Sequence, residues 1–136
     1  MKIFKRNKVK LSLIDDYINI LLVENFFNND IDIKNFKTTT QEKYEKLKTL
    51  TSTLKSNYDK VFESLKLNDL SLLILKKELK NNNSFFQNVK QNNFELLDRK
   101  LDKTLKFLTK IFTCFCEKIH FLKLNFNLNS ANLTSY

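Results

Sequence analysis

The amino-acid sequence predicts an all-α protein: a long antiparallel helical hairpin (about residues 40–80 and 85–125) with an N-terminal helix (about 12–27) packed on it as a three-helix bundle. Two observations carry this prediction. The 136 residues include no glycine and no proline, on which the turns of β-sandwiches and barrels usually depend. Apolar residues also recur at alternating steps of three and four over two long stretches, which is the period of an α-helix.

The N-terminal helix is predicted to start at Ser12, whose hydroxyl can cap the first turn. Asp15 and Asp16 follow in the first turns, where the helix dipole favours negative charge. Apolar residues then cover most of the circumference up to about Phe27, which is typical of a helix enclosed by neighbours. The polar segment 28–40 is the natural linker to the hairpin.

The first long helix is predicted to begin with Thr39 and Glu42, which have the spacing of a capping box. Its heptad positions are Tyr44, Leu47, Thr51, Leu54, Tyr58, Val61, Leu65, Asn68, Leu72, Leu75 and Leu79. Because no proline or glycine interrupts them, we expect one unbroken helix to residue 80. Thr51 and Asn68 are polar within this stripe and are expected to fix the helical register.

The reversal is predicted at NNNS (81–84), because asparagine tolerates the left-handed backbone at a helix end. Ser84 with Gln87 then caps the second long helix. The apolar stripe of this helix consists of Phe94, Leu97, Leu101, Leu105, Leu108, Phe112, Phe115, Ile119, Leu122 and Phe126. Around 111–122 the helix is apolar nearly all round, so contact on more than one side is expected. The candidate residues for packing on a partner helix are Phe107, Ile111, Phe112, Phe115, Ile119 and Phe121.

The charge pattern divides the chain into a basic tail (1–10), one helical domain (11–126) and a polar C-terminal tail (127–136). The net charge is +9, with a pI of about 9.5. The tail contributes +5, whereas residues 11–33 carry −5. The candidate residues for binding RNA or an acidic partner are those of the tail, Lys2, Lys5, Arg6, Lys8 and Lys10, and those of a basic ridge on the second long helix, Arg99, Lys103, Lys106 and Lys110. The four ridge positions lie within about 60° of one another on a helix.

Codon usage explains part of this composition. Residues with GC-rich codons (Gly, Ala, Arg, Pro) are almost absent, while those with AT-rich codons, Asn and Lys above all, abound. This imbalance indicates a very AT-rich genome, such as that of an organelle, an endosymbiont or a reduced parasite. Where the lysines lie along the chain is therefore more informative than how many there are.

The residues that could carry catalytic chemistry do not form a plausible centre. Cys114 and Cys116 point about 200° apart on a helix, so they cannot share a metal ion or a disulfide, and we expect plain buried thiols. Glu117 and His120 have the Glu-x-x-His spacing of di-iron bundles, but that site needs a second such motif and His120 is the only histidine. We therefore expect no catalytic residue, no metal and no cofactor. Glu95, Asp98 and Asp102 are expected to form a solvated strip that pairs with the ridge, Glu95 with Arg99 and Asp102 with Lys106.

We accordingly expect a non-catalytic subunit of a large assembly, a ribosome or other ribonucleoprotein, attached through the basic tail and the ridge. The expected partners are other protein subunits and ribosomal or other RNA. The alternative is a protein-only helical adaptor or coiled-coil scaffold subunit, and a third is peripheral membrane binding through residues 1–10. No uncharged window is long enough for a membrane span. An intracellular reducing compartment is expected, either the cytoplasm or an organelle interior such as the mitochondrial matrix.

Overall fold

The computed structural model describes residues 2–27, 33–66 and 94–124. These ranges hold three α-helices and one short 3-10 turn: α1 (Lys2–Phe27), the 3-10 turn (Ile33–Asn35), α2 (Thr38–Ser64) and α3 (Phe94–Phe121). They contain no β-strand, and the three helices pack on one another, which confirms the predicted all-α three-helix bundle. Within these ranges no helix is both long and apolar enough to cross a membrane. The predictions for NNNS (81–84), Asn68, Phe126 and the C-terminal tail lie outside the described residues.

Helices α2 and α3 run parallel to each other, so the predicted antiparallel hairpin of 40–80 and 85–125 is wrong in this respect. Near their first residues, the Thr40 hydroxyl donates a hydrogen bond of 2.9 Å to Asp98. About 18 residues further along each helix, the rings of Tyr58 and Phe115 stack with centroids 4.5 Å apart. Contacts that advance together along both helices require the same direction.

Helix α1 runs antiparallel to both of the others, and α1 with α2 is the hairpin of this fold. Near the end of α1, the ring of Phe26 lies 6.2 Å from that of Tyr44, close to the start of α2. Towards the start of α1, Tyr17 packs edge-on against Phe62, near the end of α2. The chain therefore reverses direction between α1 and α2, the two helices that the sequence predicted to be joined by the polar linker 28–40.

Helix α1 begins at Lys2, ten residues before the predicted start at Ser12. Most of the segment predicted as a basic tail is therefore the first part of α1. Nothing in residues 2–10 breaks a helix, and tertiary contacts hold this part in place. Val9 packs against the core, and the Arg6 guanidinium donates to the carbonyl oxygen of Leu122 at 3.4 Å.

The start of α2 does not use the predicted capping box. Lys37 is the N-cap residue, and its side chain makes no capping hydrogen bond. The Thr40 hydroxyl is engaged by Asp98 on α3, while the Gln41 side-chain amide donates to the Phe36 carbonyl at 2.8 Å. Contacts with the rest of the molecule thus determine where α2 begins, and the local Thr39–Glu42 signal does not.

The end of α2 also differs from the prediction of one helix running to residue 80. The helix ends at Ser64, and Lys66 has a left-handed backbone with φ of 54°. The Lys66 amide donates to the Glu63 carbonyl at 3.1 Å. A helix cannot continue through a left-handed residue, so the heptad stripe is interrupted there.

The buried face of the bundle confirms the predicted apolar stripes wherever the structure describes them. On α2 the heptad residues from Tyr44 to Val61 are buried, and on α3 those from Leu97 to Leu122 are buried apart from Phe112, which is half-buried. Burying one such leucine contributes roughly 1.5–3 kcal/mol to stability. The α2 face is wider than the stripe, because five further side chains are buried: Thr40, Leu50, Thr53, Asn57 and Phe62.

Polar side chains join the three helices around one carboxylate. Asp16 on α1 accepts a hydrogen bond of 2.9 Å from the Tyr58 hydroxyl and one of 2.7 Å from the Lys118 ammonium group. Burial, reinforced by the Asp16 charge, raises the pKa of Tyr58 far above its usual range. Tyr58 is therefore a permanent donor, and Asp16 ties α1 to both α2 and α3.

Candidate nucleic-acid interface

The basic ridge predicted from the sequence lies on the outer face of α3. Arg99, Lys103, Lys106 and Lys110 are all exposed. Their steps of four, three and four residues keep them on one face of the helix. At 1.5 Å per residue they extend over about 16 Å along the helix axis.

The acidic residues beside the ridge point to another helix. Lys43 on α2 contacts both carboxylates, with Nζ 3.1 Å from Asp98 Oδ2 and 3.1 Å from Asp102 Oδ2. The hydrogen bond from Thr40, together with those from Lys43, lowers the pKa of Asp98 below its usual value. The expected pairing of Asp102 with Lys106 is therefore wrong, because Lys43 is the cation that Asp102 contacts.

The ridge consequently keeps its positive charge. Among the described residues, none of its four side chains forms an ion pair or a hydrogen bond with the protein. Glu95 is exposed at the N-terminal end of the same face and is the nearest acidic residue along the ridge that has no cross-helix partner among them. Four unpaired cations in a row form a surface that attracts an extended polyanion.

Two concave surfaces adjoin the ridge. A groove of about 300 Å³ is lined by Leu96, Arg99, Lys100, Lys103, Thr104 and Phe107. A second cleft, of about 540 Å³, lies where the N-terminal ends of α2 and α3 meet, and Arg99 and Lys37 are both on its wall. Arg99 therefore belongs to both surfaces.

The basic N-terminal segment lies at the other end of the bundle. Lys5, Arg6 and Lys8 are exposed and Lys10 is half-buried, while the side chain of Lys2 lies outside the described residues. Since Arg6 contacts the Leu122 carbonyl, the segment is level with the end of α3. Leu122 is 12 residues beyond Lys110, or about 18 Å along the axis. The structure thus does not bring the two predicted basic groups into one patch.

The six residues predicted to pack on a partner helix divide into two groups. Ile111, Phe115 and Ile119 are buried among the chain's own helices, so they form no exposed surface, and the prediction is corrected for these three. Phe112 is half-buried. Only Phe107 and Phe121 are well exposed, at 40% and 45%. Helix α1 covers much of the apolar surface that had suggested a partner.

The residues with potential metal or nucleophilic chemistry stay apart. Cys114 is half-buried and Cys116 is exposed, so the expectation of two buried thiols is wrong for Cys116. Desolvation raises the pKa of the Cys116 thiol, which disfavours the reactive thiolate. Glu117 and His120 are both exposed. In the described ranges no three His, Cys, Asp or Glu side chains are grouped as metal ligands would be.

Comparisons of the chain with protein-family models, with curated proteins and with solved structures give no match.

Proposed function

We propose that this protein is a non-catalytic subunit of a large assembly, a ribosome or other ribonucleoprotein, and that it binds RNA through the basic ridge of α3. The observation that carries the proposal is the separation of charge around Lys43. Asp98 and Asp102 are held by Lys43, while the four ridge cations remain exposed without a protein partner among the described residues. A surface of this kind gains free energy by neutralising phosphates and releasing their counterions.

The N-terminal segment of α1 supplies a second basic contact in this proposal. Its exposed cations lie roughly 15–20 Å from the ridge along the bundle axis. The two groups would therefore contact different parts of an acidic surface, as expected for a subunit that lies along an RNA. The proposal places the protein in the cytoplasm or in an organelle interior.

The proposal is tested by charge reversal at Lys103 and Lys106, both to Glu, with binding to purified ribosomal RNA measured over a salt series. The matched control reverses Lys48 and Lys60, which are exposed on α2 and carry no ion pair within the described residues. Both double variants lose the same net charge, so a difference between them reports position. Circular dichroism verifies that each variant keeps its helices.

We expect the wild-type affinity to fall by at least on the order of a hundredfold between about 50 and 200 mM salt, because the four phosphates neutralised by the ridge alone give a logarithmic slope near −3. The Lys103/Lys106 reversal should weaken binding strongly and flatten the slope, while the Lys48/Lys60 reversal should have a small effect. An affinity that does not change with salt concentration, or an equal loss of affinity in the two double variants, would contradict the proposal.

A second candidate function is a protein-only helical adaptor or coiled-coil scaffold subunit, favoured by the exposure of Phe107 and Phe121. In that case the lysines serve solubility, and a partner helix covers the two rings. Replacing both phenylalanines with serine would then prevent assembly, and the Lys103/Lys106 reversal would leave it intact. The ribonucleoprotein proposal expects the charge reversal to be the more damaging change.

A further inference from the structure

Phe107 lies beside the basic ridge, level with the middle of its length. Along the helix it follows Lys106 directly, and it is one turn from both Lys103 and Lys110. Its side chain is 40% exposed, whereas Phe115, two turns further along α3 and turned towards the core, is fully buried. Packing in the core of the described bundle does not explain why an aromatic ring is exposed to solvent among cations.

The groove beside the ridge combines this ring with charge. Phe107 and Leu96 supply its apolar surface, and Arg99 and Lys103 supply its exposed cations. Its volume of about 300 Å³ is at the lower end of the range for cavities that hold a small organic group. A ligand that fits must present a flat apolar face and negative charge within a few Å of each other.

We propose, on the basis of the function proposed above, that the ridge binds single-stranded nucleic acid, with one base stacked on Phe107 and the adjacent phosphates on the ridge cations. A nucleotide carries a flat face and a negative charge at this separation. Stacking platforms flanked by basic side chains are the usual way in which proteins hold single strands. In a duplex the faces of the bases are already stacked on their neighbours, so only the phosphates would be available to the ridge.

The charge around Phe107 favours this ligand over a protein helix. Lysine is depleted in the centres of protein interfaces, because its ammonium group is strongly hydrated and costly to bury. A partner helix covering Phe107 would bury or displace Lys103, Lys106 and Lys110. A single strand instead places its phosphates beside these ammonium groups and leaves them partly in water.

The first experiment compares Phe107→Leu with wild type in binding an oligouridine of roughly 12 nucleotides, a length within the usual site sizes for single strands. The matched control is Phe121→Leu, since Phe121 is similarly exposed on the same helix but lies beyond the ridge. We expect Phe107→Leu to weaken binding about tenfold, as for the loss of one stacked base. The salt slope should not change, because every cation is kept. Phe121→Leu should bind like wild type.

The second experiment uses Phe107→Trp as a reporter. The wild-type chain contains no tryptophan, so the new indole is the only one and its fluorescence reports this position alone. Stacking of a uracil on the indole should quench the emission as the oligouridine is added. Phe121→Trp is the control and should show no quenching. This measurement also covers the case in which the leucine variant folds poorly.

The experiments distinguish a failure of base stacking on Phe107 from a failure of RNA binding by the ridge. If the Lys103/Lys106 reversal weakens RNA binding while Phe107→Leu does not, stacking is wrong and the ridge function stands. Tighter binding of an RNA duplex of equal length, or quenching only in the Phe121→Trp control, would also overturn the inference. If neither form of RNA binds wild-type protein at low salt, both proposals are wrong.

Discussion

Lys43 lies on α2, yet it determines the charge of the outer face of α3. By contacting Asp98 and Asp102 it separates the acids of α3 from the bases of α3. The sequence could not show this, because Asp102 and Lys106 have the ideal spacing for a pair within one helix. Such a pair is worth only a few tenths of a kcal/mol, so a cross-helix cation that contacts two carboxylates competes successfully.

Acid titration tests the role of Asp98 directly. The folded state lowers the pKa of Asp98, chiefly through the Thr40 hydroxyl and then through Lys43. A carboxylate of this kind adds stability above its ordinary pKa of about 3.9 and loses that contribution as the pH falls through the lower folded value. We therefore expect Asp98→Asn to lower the free energy of unfolding by up to about 1 kcal/mol at neutral pH, since the pair is partly exposed.

The measurement is urea unfolding of Asp98→Asn and wild type from pH 7 down to pH 3. The difference in the free energy of unfolding between the two proteins should narrow below about pH 4, where Asp98 in the unfolded wild-type chain begins to protonate. Glu95→Gln is the matched control, because Glu95 is exposed and has no cross-helix partner in the described part of the chain. It should differ little from wild type at any pH. A gap for Asp98→Asn that is constant with pH would show that the pairing is not what stabilises the fold.

At the scale of helices, the sequence correctly predicted which faces of α2 and α3 are buried, but not where the helices begin and end. The steps of three and four residues identify the buried stripes of α2 and α3, because any bundle must bury a continuous apolar face. Helix ends are usually marked by glycine in the left-handed conformation, and this chain has none. Lysine occupies that conformation instead, at Lys66 after α2 and at Lys123 after α3.

The end of α3 has a complete C-terminal capping motif. The Lys123 amide donates to the His120 carbonyl, and the Leu124 amide donates to the Ile119 carbonyl, both at 3.1 Å. These are the two hydrogen bonds of a Schellman motif, with Lys123 in the place where glycine is usual. A lysine in this conformation gives no sequence signal for a helix end, which explains why the predicted end of the first long helix was wrong.

Substituting glycine at Lys66 should stabilise the protein. A residue with a Cβ atom at a φ of 54° costs roughly 1 kcal/mol compared with glycine. We expect Lys66→Gly to raise the free energy of unfolding by up to about 1 kcal/mol, somewhat offset by the greater flexibility of the unfolded chain. Lys60→Gly, in the interior of α2, should instead lower it by about 1 kcal/mol.

Thermal and urea unfolding of the two variants against wild type provide the measurement. Both changes remove the same charge and introduce the same residue, so opposite signs report backbone conformation alone. Destabilisation by both variants would mean that the α2 helix continues through residue 66, as the sequence had predicted.

At the scale of the whole molecule, the sequence predicted the class and the number of packed helices but not their directions. An apolar stripe indicates which face of a helix is buried, and either direction of a neighbouring helix can bury it. Direction was inferred from the short polar segment 81–84, which lies outside the described residues. The contacts of Thr40 with Asp98 and of Tyr58 with Phe115 show the parallel arrangement of α2 and α3.

Distances between spin labels test this arrangement and, with it, the position of the ridge. One label is placed at residue 39, and the second at residue 95 or at residue 117; all three sites are exposed. Cys114 and Cys116 are first replaced by alanine so that only the chosen sites react. Parallel helices place 39 and 95 on the same cleft, and residue 117 lies about 33 Å further along α3.

We therefore expect a short distance for the 39/95 pair and a long one for the 39/117 pair. An antiparallel hairpin of residues 40–80 and 85–125 predicts the reverse order, with 39 and 95 separated by about 46 Å along the axis. The order of the two distances is decisive, because label linkers shift both by similar amounts. The reversed order would place the ridge beside the far end of α2, away from Lys43, and would remove the charge separation on which the proposed RNA contact depends.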